Sequence, residues 1–385
     1  VKIGIPKEII ADENRVAMIP RTVGELVKKD HQVLVEAGAG ERAGYADEAY
    51  TEAGAQLVDG AAELYEQSGA VVKVNRLSHH PELGKHEAEL LKPETTIVGL
   101  LDPLNNPGNL QQLVDKKLTV FSMEFLPRIT RAQSMDVLSS MSTVSGYKAV
   151  LVAAESLPRF FPLLMTAAGT IPPATALIIG AGVAGLQAIA TAKRLGAKVF
   201  SFDTRPAVKE QVESLGARFV EMELEEEAET ESGYAKEMSE EFYRRELEAI
   251  GNQAERSDII ISTALIFGKK APILITEEMV ENMQYGSVIV DLAGSNGGNC
   301  EVAEPGESVV KHGVTIHTPL NLPATLPYHA SQMYSKNMSN FLSEILQDEA
   351  QGYDFDNQVV ADTCIAAGGE IRNDLVRNAL QGKDE

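Results

Sequence analysis

In the run "ALIIGAGVAGLQAIATAKRLGAKVFSFDTR", Gly180, Gly182 and Gly185 stand between a β-run and an apolar helical pattern, and a second β-run closes on Asp203. A bare G-x-G-x-x-G is a weak signal, but strand, helix, second strand and terminal acid in that order make a dinucleotide-binding fingerprint. In this reading Gly180 permits the tight turn, Gly182 lets a pyrophosphate approach the backbone, and Gly185 allows close packing of helix on strand. The phosphates then sit on the helix N-terminus, where unpaired N–H groups and the helix dipole favour anions. Asp203 suits the adenosine ribose hydroxyls and repels a 2′-phosphate, which favours NAD over NADP. Arg205 weakens that preference, since an arginine there can accept such a phosphate. A glycine turn packed for structure alone is the competing reading.

A second constellation lies in "PRITRAQSMDVLSSMSTVSGY", residues 127–147. Read as one amphipathic helix, it gathers Gln133, Asp136, Ser139, Ser140 and Thr143 within roughly 120° of arc, leaving Met135, Val137, Leu138, Met141 and Val144 for the rest. A water-facing side more often carries Lys, Glu or Arg. Short, mostly uncharged donors and acceptors fit a neutral polar ligand, such as a nicotinamide carboxamide, or a buried helix contact, and spacing leaves both open. Thr130 with Gln133 three residues on also fits a capping box, which ties up orphan N–H groups at a helix start.

Strands alternating with helical patterns must position these residues. Strands are expected at 2–6, 32–36, 70–74, 96–100 and 118–122, then at 176–180, 198–202, 218–222, 258–262, 287–291 and 314–317. Pro20 opens a helix over 21–29. This alternation predicts an α/β chain of two Rossmann-like, doubly wound parallel-sheet domains joined by long helices. Residues 127–160 carry no strand pattern and are expected to cross between the units as a long helix. A second helix over 331–346 returns the chain, and the tail "YDFDNQVVADTCIAAGGEI" reads as a hairpin. The boundaries fall near 137 and 326, giving a discontinuous first domain (1–137 plus 326–385) and a nucleotide-binding domain over 138–325.

Composition narrows the function classes. The 385 residues are 44% hydrophobic and 23% charged, as in a globular protein with sizeable cores. With 34 Lys+Arg against 56 Asp+Glu the net charge is −22, which argues against a nucleic-acid partner. Cys300 and Cys364 have neither metal-ligand nor disulfide-framework spacing, so a reducing compartment is expected. The start "VKIGIP" reads as a strand rather than a secretory signal. Only residues 175–192 approach a membrane span in length and apolarity, and the strand-turn-helix reading accounts for them better. The run "EMELEEEAETE" holds seven Glu and reads as a solvated acidic segment without metal-ligand spacing. His79, His80 and His86 fall in a polar loop, and His31, His312, His317 and His329 lack a spaced partner. No metal site is expected.

The segment "PRITRAQSMDVLSS" resembles the signature of the NAD(H)-binding component of proton-translocating nicotinamide nucleotide transhydrogenases. The likeness covers essentially the whole chain, through "GIPKE", "NRVA", "TAAGTIPPA", "GAGVAGLQAIATAKRLGA", "DTRPAVKEQVESLGA", "SGYAKEMSEEF", "TALIFGK" and "DLAGSNGGNCE". It implies two Rossmann-like domains, a homodimer and NAD(H) in the cleft between the domains. It also implies partners: an NADP(H)-binding component and a membrane-spanning proton-channel component, with this chain peripheral at the cytoplasmic face of a bacterial inner membrane, or the matrix side in a mitochondrion, and not inserted. Arg128, Gln133, Asp136 and Ser139 match family residues around the nicotinamide, with Leu138 among the cofactor contacts. Gly180, Ala181, Gly182, Val183, Asp203, Thr204 and Arg205 match pyrophosphate and adenosine contacts. Leu265 lines the same site, and Gly233 and Tyr234 lie in a loop that closes over the nucleotide.

The related alanine dehydrogenases share "IGIPKE" and "NRVA" and use a Lys and a His in the first domain. Lys73 in "VVKVNR" matches the lysine, but "TIVGLLDPLNNP" has Asp102 and no His. An enzyme that reduces a carbonyl or imine normally supplies a proton as well as a hydride. Hydride transfer between two nicotinamides needs only close approach and orientation. The missing histidine therefore favours transhydrogenation over amino-acid oxidation, and leaves Lys73 and Arg15 as structural as they are functional. Phe267 and Lys270 stand where the family commonly has prolines, and Gly294 where it has Ala or Val, which puts local loop rigidity in doubt.

Overall fold

Short Val- and Ile-rich runs form strands whose side chains are buried on both faces, the pattern that a parallel sheet covered by helices requires. The computed structural model describes residues 1–222, 240–265, 268–346 and 352–382. Gly233, Tyr234, Phe267 and most of the acidic run lie outside the described residues. The chain divides into two units, Val1–Met141 with Pro323–Glu385, and Ser142–Leu322.

In the first unit, β1 (Lys2–Ile5), β2 (Gln32–Glu36), β3 (Gln56–Val58), β4 (Ala70–Val72), β5 (Thr96–Gly99) and β6 (Thr119–Ser122) lie parallel in the order 3-2-1-4-5-6. In the second, β7 (Thr175–Ile179), β8 (Lys198–Phe202), β9 (Arg218–Phe219), β10 (Ile259–Ser262), β11 (Val288–Asp291), β12 (Ser308–Lys311) and β13 (Val314–His317) take the order 9-8-7-10-11-13-12, with β12 alone antiparallel. Both sheets are doubly wound. Their order reverses between β1 and β4, and between β7 and β10, and the loops beyond the carboxyl ends there are where such sheets bind ligands.

The principal helices are α1 (Pro20–Val27), α2 (Val137–Ser156), α3 (Val183–Arg194), α4 (Glu240–Ala254) and α5 (Pro327–Ile345). Pro20 starts α1 at a position whose missing N–H costs nothing, and Thr22, Val23 and Leu26 form its buried face. The tail is only partly a hairpin. Gln358–Thr363 is helical, capped by Asn357 Oδ1 accepting from Val359 N at 3.0 Å. The hairpin proper is β14 (Cys364–Ala367) with β15 (Glu370–Ile371), turned by Gly368 and Gly369 at φ 64° and 89° and paired antiparallel onto β6.

The expected single helix over 127–147 is broken. Thr130–Met135 is a 3-10 turn, Asp136 leaves helical geometry at ψ 92°, and α2 begins at Val137. The Thr130 capping box does not form; Ile129 stands at the cap without a side-chain bond. Asp136 caps instead, its Oδ1 accepting from Ser139 N at 2.9 Å and its Oδ2 from Ser139 Oγ at 2.6 Å. An aspartate offering its carboxylate to orphan N–H groups is better placed at a helix start than inside one, so the helix starts after it.

Residues 175–192 form the strand, turn and helix expected of them. Among the described residues one helix, Val137–Ser156, is long and apolar enough to cross a membrane, a stretch that the sequence pattern did not single out. Its Ala149, Val150 and Ala153 lie in the core of the second unit, beside Ala188 and Ile189 of α3. A core helix passes the same length and composition test.

The centre of the first unit is polar. Lys73, directly after β4 and 0% exposed, donates to Glu87 Oε1 at 2.7 Å and stands 3.7 Å from Glu8 Oε2. Tyr65 OH also donates to Glu87 Oε1, at 2.5 Å. Arg15 grips Glu13 through Nε and Nη2 at 2.7 and 2.6 Å, and Asn75 Nδ2 donates to Glu13 at 2.8 Å. Three buried carboxylates thus meet two cations. Burial works against the charge on Lys73, but Glu8 and Glu87 outweigh it and hold its pKa above the usual lysine value. Burial pushes Glu8 from 4.5 up to about 7, with Glu87 adding to the shift and Lys73 and the Val74 N–H opposing it.

The sign of the resulting pH dependence follows. Between 4.5 and about 7 the folded chain keeps the Glu8 proton that the unfolded chain releases, so stability from this group is full below 4.5 and is lost as pH rises through 7. The free energy of unfolding of the unaltered chain relative to Glu8→Gln is therefore expected to fall by about 3 kcal/mol from pH 4.5 to 8. A difference that stays flat in denaturant titrations across that range would overturn the assignment.

Candidate nucleotide site

At the switch point of the second unit the three glycines take different conformations. Gly180 adopts φ 90°, closed to most side chains, and directly follows β7. A Cβ on Gly185 would lie 1.8 Å from Gly180 O, so only glycine lets α3 approach the strand end. Gly182 has no atom within 4 Å of where a Cβ would be, and it caps α3 without a side-chain bond. Open space in front of uncapped N–H groups fits a pyrophosphate. Val183 is exposed beside it, and Ala181 is buried.

Asp203 follows β8 and closes the turn from the other side. Its Oδ2 accepts from Ala181 N at 2.7 Å, and its Oδ1 from Arg205 N at 2.9 Å. The Arg205 guanidinium folds back in a fork, Nε to Oδ1 and Nη2 to Oδ2, each at 2.9 Å. The arginine that could have welcomed a 2′-phosphate is thus engaged by the acid that repels one. Thr204 lies half-buried between the pair. The fold therefore brings Gly180, Ala181, Gly182, Val183, Asp203 and Arg205 to one strand-end cluster.

Several supporting residues are not apparent from sequence spacing. Thr263 Oγ1, just after β10, donates to the carbonyls of Ile179 and Gly180 at 3.2 Å each. Asn299 accepts from Ser262 Oγ at 2.6 Å and Ala264 N at 3.1 Å, and donates to the carbonyls of Ala264 and Pro272 at 2.9 and 2.8 Å. Asp291 accepts from the N–H groups of Ala293, Asn299 and Cys300 at 2.9, 2.6 and 2.9 Å. Burial raises the Asp291 pKa against those three bonds. The network fixes the loop that ends at exposed Leu265. The signal was present in "DLAGSNGGNCE", but spacing does not show that its Asn reaches a loop more than thirty residues upstream. Glu246, buried on α4, is pushed up to about 7, first by burial and then by Asp203. A Cβ on Gly294 would fall 2.8 Å from Thr318 Cγ2, so the glycine at this position matches the space its neighbour leaves.

In the first unit Arg128 and Gln133 are exposed, on the approach to the 3-10 turn and on the turn itself, whereas Ala132 and Met135 anchor the turn in the interior. Asp136 and Ser139 are bonded to each other at the start of α2, and Leu138 is half-buried beside them. Gln133 consequently does not share a helix face with Asp136 and Ser139. Lys73 and Arg15, the other matched cations of this unit, are closed into the buried ion pairs.

His312 has partners that its position in sequence concealed. Its Nε2 lies 3.0 Å from Glu277 Oε1 and 3.6 Å from Glu281 Oε1, an exposed surface cluster. His317 is bonded to Ser156 at 2.8 Å and to Ser308 at 2.7 Å.

Known proteins match this architecture along its length. The family model described as alanine dehydrogenase/PNT, N-terminal domain, matches residues 4–145, and that for the C-terminal domain matches residues 149–374. The chain is 47% identical to an NAD(P) transhydrogenase subunit alpha chain of Rhodospirillum rubrum, over 100% of both chains. A crystal structure of transhydrogenase from Sinorhizobium meliloti superposes with TM-score 0.84 at 38% identity, covering 97% of this chain and 99% of that one. An L-alanine dehydrogenase structure superposes with TM-score 0.83 at 25% identity, covering 100% of both. With both domain models matched in order and near half of all residues shared with a full-length relative, the chain belongs to the alanine dehydrogenase/PNT family of oxidoreductases.

Proposed function

We propose that this chain is the NAD(H)-binding component of a proton-translocating transhydrogenase. Hydride passes directly between NAD(H) held here and NADP(H) held by a partner component, and a membrane-spanning component couples the transfer to proton movement. The observation that carries this reading is the state of the first unit's cations. Lys73 and Arg15, which an amino-acid dehydrogenase would turn toward its substrate, are enclosed by Glu8, Glu13 and Glu87. No proton donor is needed when a hydride moves with its electron pair from one nicotinamide ring to another.

The roles in this reading follow from the local chemistry. The N–H groups at Gly182 and Val183 receive the pyrophosphate, and Asp203 the adenosine ribose, with Thr204 and Leu265 beside it. Arg205 holds the Asp203 carboxylate in its present orientation, which favours NAD(H) over NADP(H). Arg128, Gln133, Asp136 and Ser139, with Leu138, serve the nicotinamide end. Gln133 offers both a donor and an acceptor to a carboxamide. The chain works at the cytoplasmic face of a bacterial membrane, or the matrix face of a mitochondrial one, without inserting.

The homodimer belongs to the same proposal, supported by an exposed hairpin of the second unit. Leu164–Thr166 pairs antiparallel with Gly169–Ile171, and Met165 is 79% and nearby Phe160 55% exposed. An isolated two-stranded hairpin is marginal in water, and clustered exposed apolar side chains mark an interaction surface. Such a hairpin can meet its own copy across a two-fold axis, where one self-complementary surface serves both chains.

Two measurements test these statements. Hydride transfer from NADH to an NADP⁺ analogue is expected when the NADP(H)-binding partner is added and not without it; rapid reduction of NAD⁺ by the isolated chain with alanine would sink the proposal. Met165→Asp is expected to shift the sedimentation coefficient from that of a dimer to that of a monomer, with NADH affinity kept. An unchanged dimer would remove the hairpin from the interface.

A further inference from the structure

Asn337 and Asn340 lie one turn apart on α5 and aim their amides at a single atom. Asn337 Nδ2 donates to Ser134 O at 2.9 Å, and Asn340 Nδ2 donates to the same oxygen at 3.0 Å. Ser134 directly follows Gln133. A carbonyl near the end of so short a turn has no partner within the turn, and here both of its lone pairs are taken from outside.

The other neighbours of Gln133 are fixed as well. Ala132 N donates to Ile129 O at 2.9 Å, and Asp136 N donates to Gln133 O at 3.3 Å. Arg131 Nη2 donates to Asn357 Oδ1 at 2.5 Å, and Asn357 Nδ2 donates in turn to Glu344 Oε2 at 3.0 Å. Gln133 itself points outward from this held frame.

Asn337 is 7% exposed, and its Oδ1 is buried without a hydrogen-bond partner among the described residues. An unmet buried acceptor costs stability, and an apolar side chain of similar size would fill the place without that cost. What the asparagine adds is the direction of one hydrogen bond.

We propose that Asn337 and Asn340 are positioning residues for hydride transfer. They hold the Ser134 peptide so that the Gln133 side chain is presented in one orientation to the nicotinamide, and they touch no nucleotide themselves. The inference rests on the reading of Gln133 as a nicotinamide-end residue. Transfer between two rings depends steeply on placement, and a small displacement at a positioning group is sufficient to slow it strongly.

The test is a cycle of variants in the complete complex with its partner components, following transfer from NADH to an NADP⁺ analogue. Asn337→Ala/Asn340→Ala is expected to lower the rate at saturating NADH by at least about tenfold, while the Kd for NADH changes by less than about twofold. In a Gln133→Asn background the same pair of changes is expected to cost less than about twofold more, because the two sites act through one group. A full rate in the double variant, or losses that multiply without interaction, would overturn the proposal. If Gln133→Asn alone left transfer intact, the nicotinamide reading of Gln133 would fail, and the positioning role with it. Asn340→Ala alone, at the half-exposed position, carries the same cycle should the double variant not fold.

Discussion

In a parallel sheet the loops beyond the carboxyl strand ends carry backbone groups that no neighbouring strand can pair, and any of them removed from water needs another partner. Both units meet this constraint with buried polar side chains. In the first unit α5 supplies them from one helix face. Ser331 and Ser335 accept from Val16 N and Ile19 N at 3.0 Å each, Tyr334 OH donates to Lys73 O at 2.7 Å, and Asn337 reaches Ser134 O. In the second unit Asp291 and Asn299 do the same for the loops after β10 and β11. Apolar packing builds the layers, but these bonds set the shape of the loops where ligands of such sheets bind.

The same constraint separates the chemistry of the two switch points. In the first unit charged side chains turned inward and found one another, so Lys73, Arg15 and their three carboxylates form a closed network. Breaking such a network leaves an uncompensated buried charge, which makes the network rigid and keeps its cations from an incoming ligand. In the second unit the turn after β7 keeps N–H groups uncapped and space open before Gly182. One switch point is thus sealed by ion pairs, while the other is prepared for an anion.

Much of this was legible in residue order. The strands at 32–36, 198–202 and 314–317 are observed with the expected limits, because each is a β-branched run bounded by turn residues. The roles of Gly180 and Gly185 in the turn were legible too, since each is set by local sterics. β3 was missed because three residues carry too little pattern. Helical periodicity failed at Asp136, where a side chain that competes for backbone N–H groups ended one element and began another. The partners of Ser134 and Ala264 were illegible for a different reason. They arrive from more than two hundred and about thirty-five residues away in the chain, and no local rule reports a hydrogen bond between such positions.

The break at Asp136 alters what Gln133 is. On a continuous helix its side chain would lie along the surface of the preceding turn, on the same face as Asp136 and Ser139. On the 3-10 turn it projects outward from a backbone held at Ala132, Ser134 and Met135, while Asp136 and Ser139 turn to each other to start α2. Asp136 thereby shapes the site through its cap as much as through any contact with a ligand. The polar residues that looked like one face of a helix are divided between presenting a side chain and fixing the backbone that presents it, and a reaction with no proton to supply depends on that second task as much as on the first.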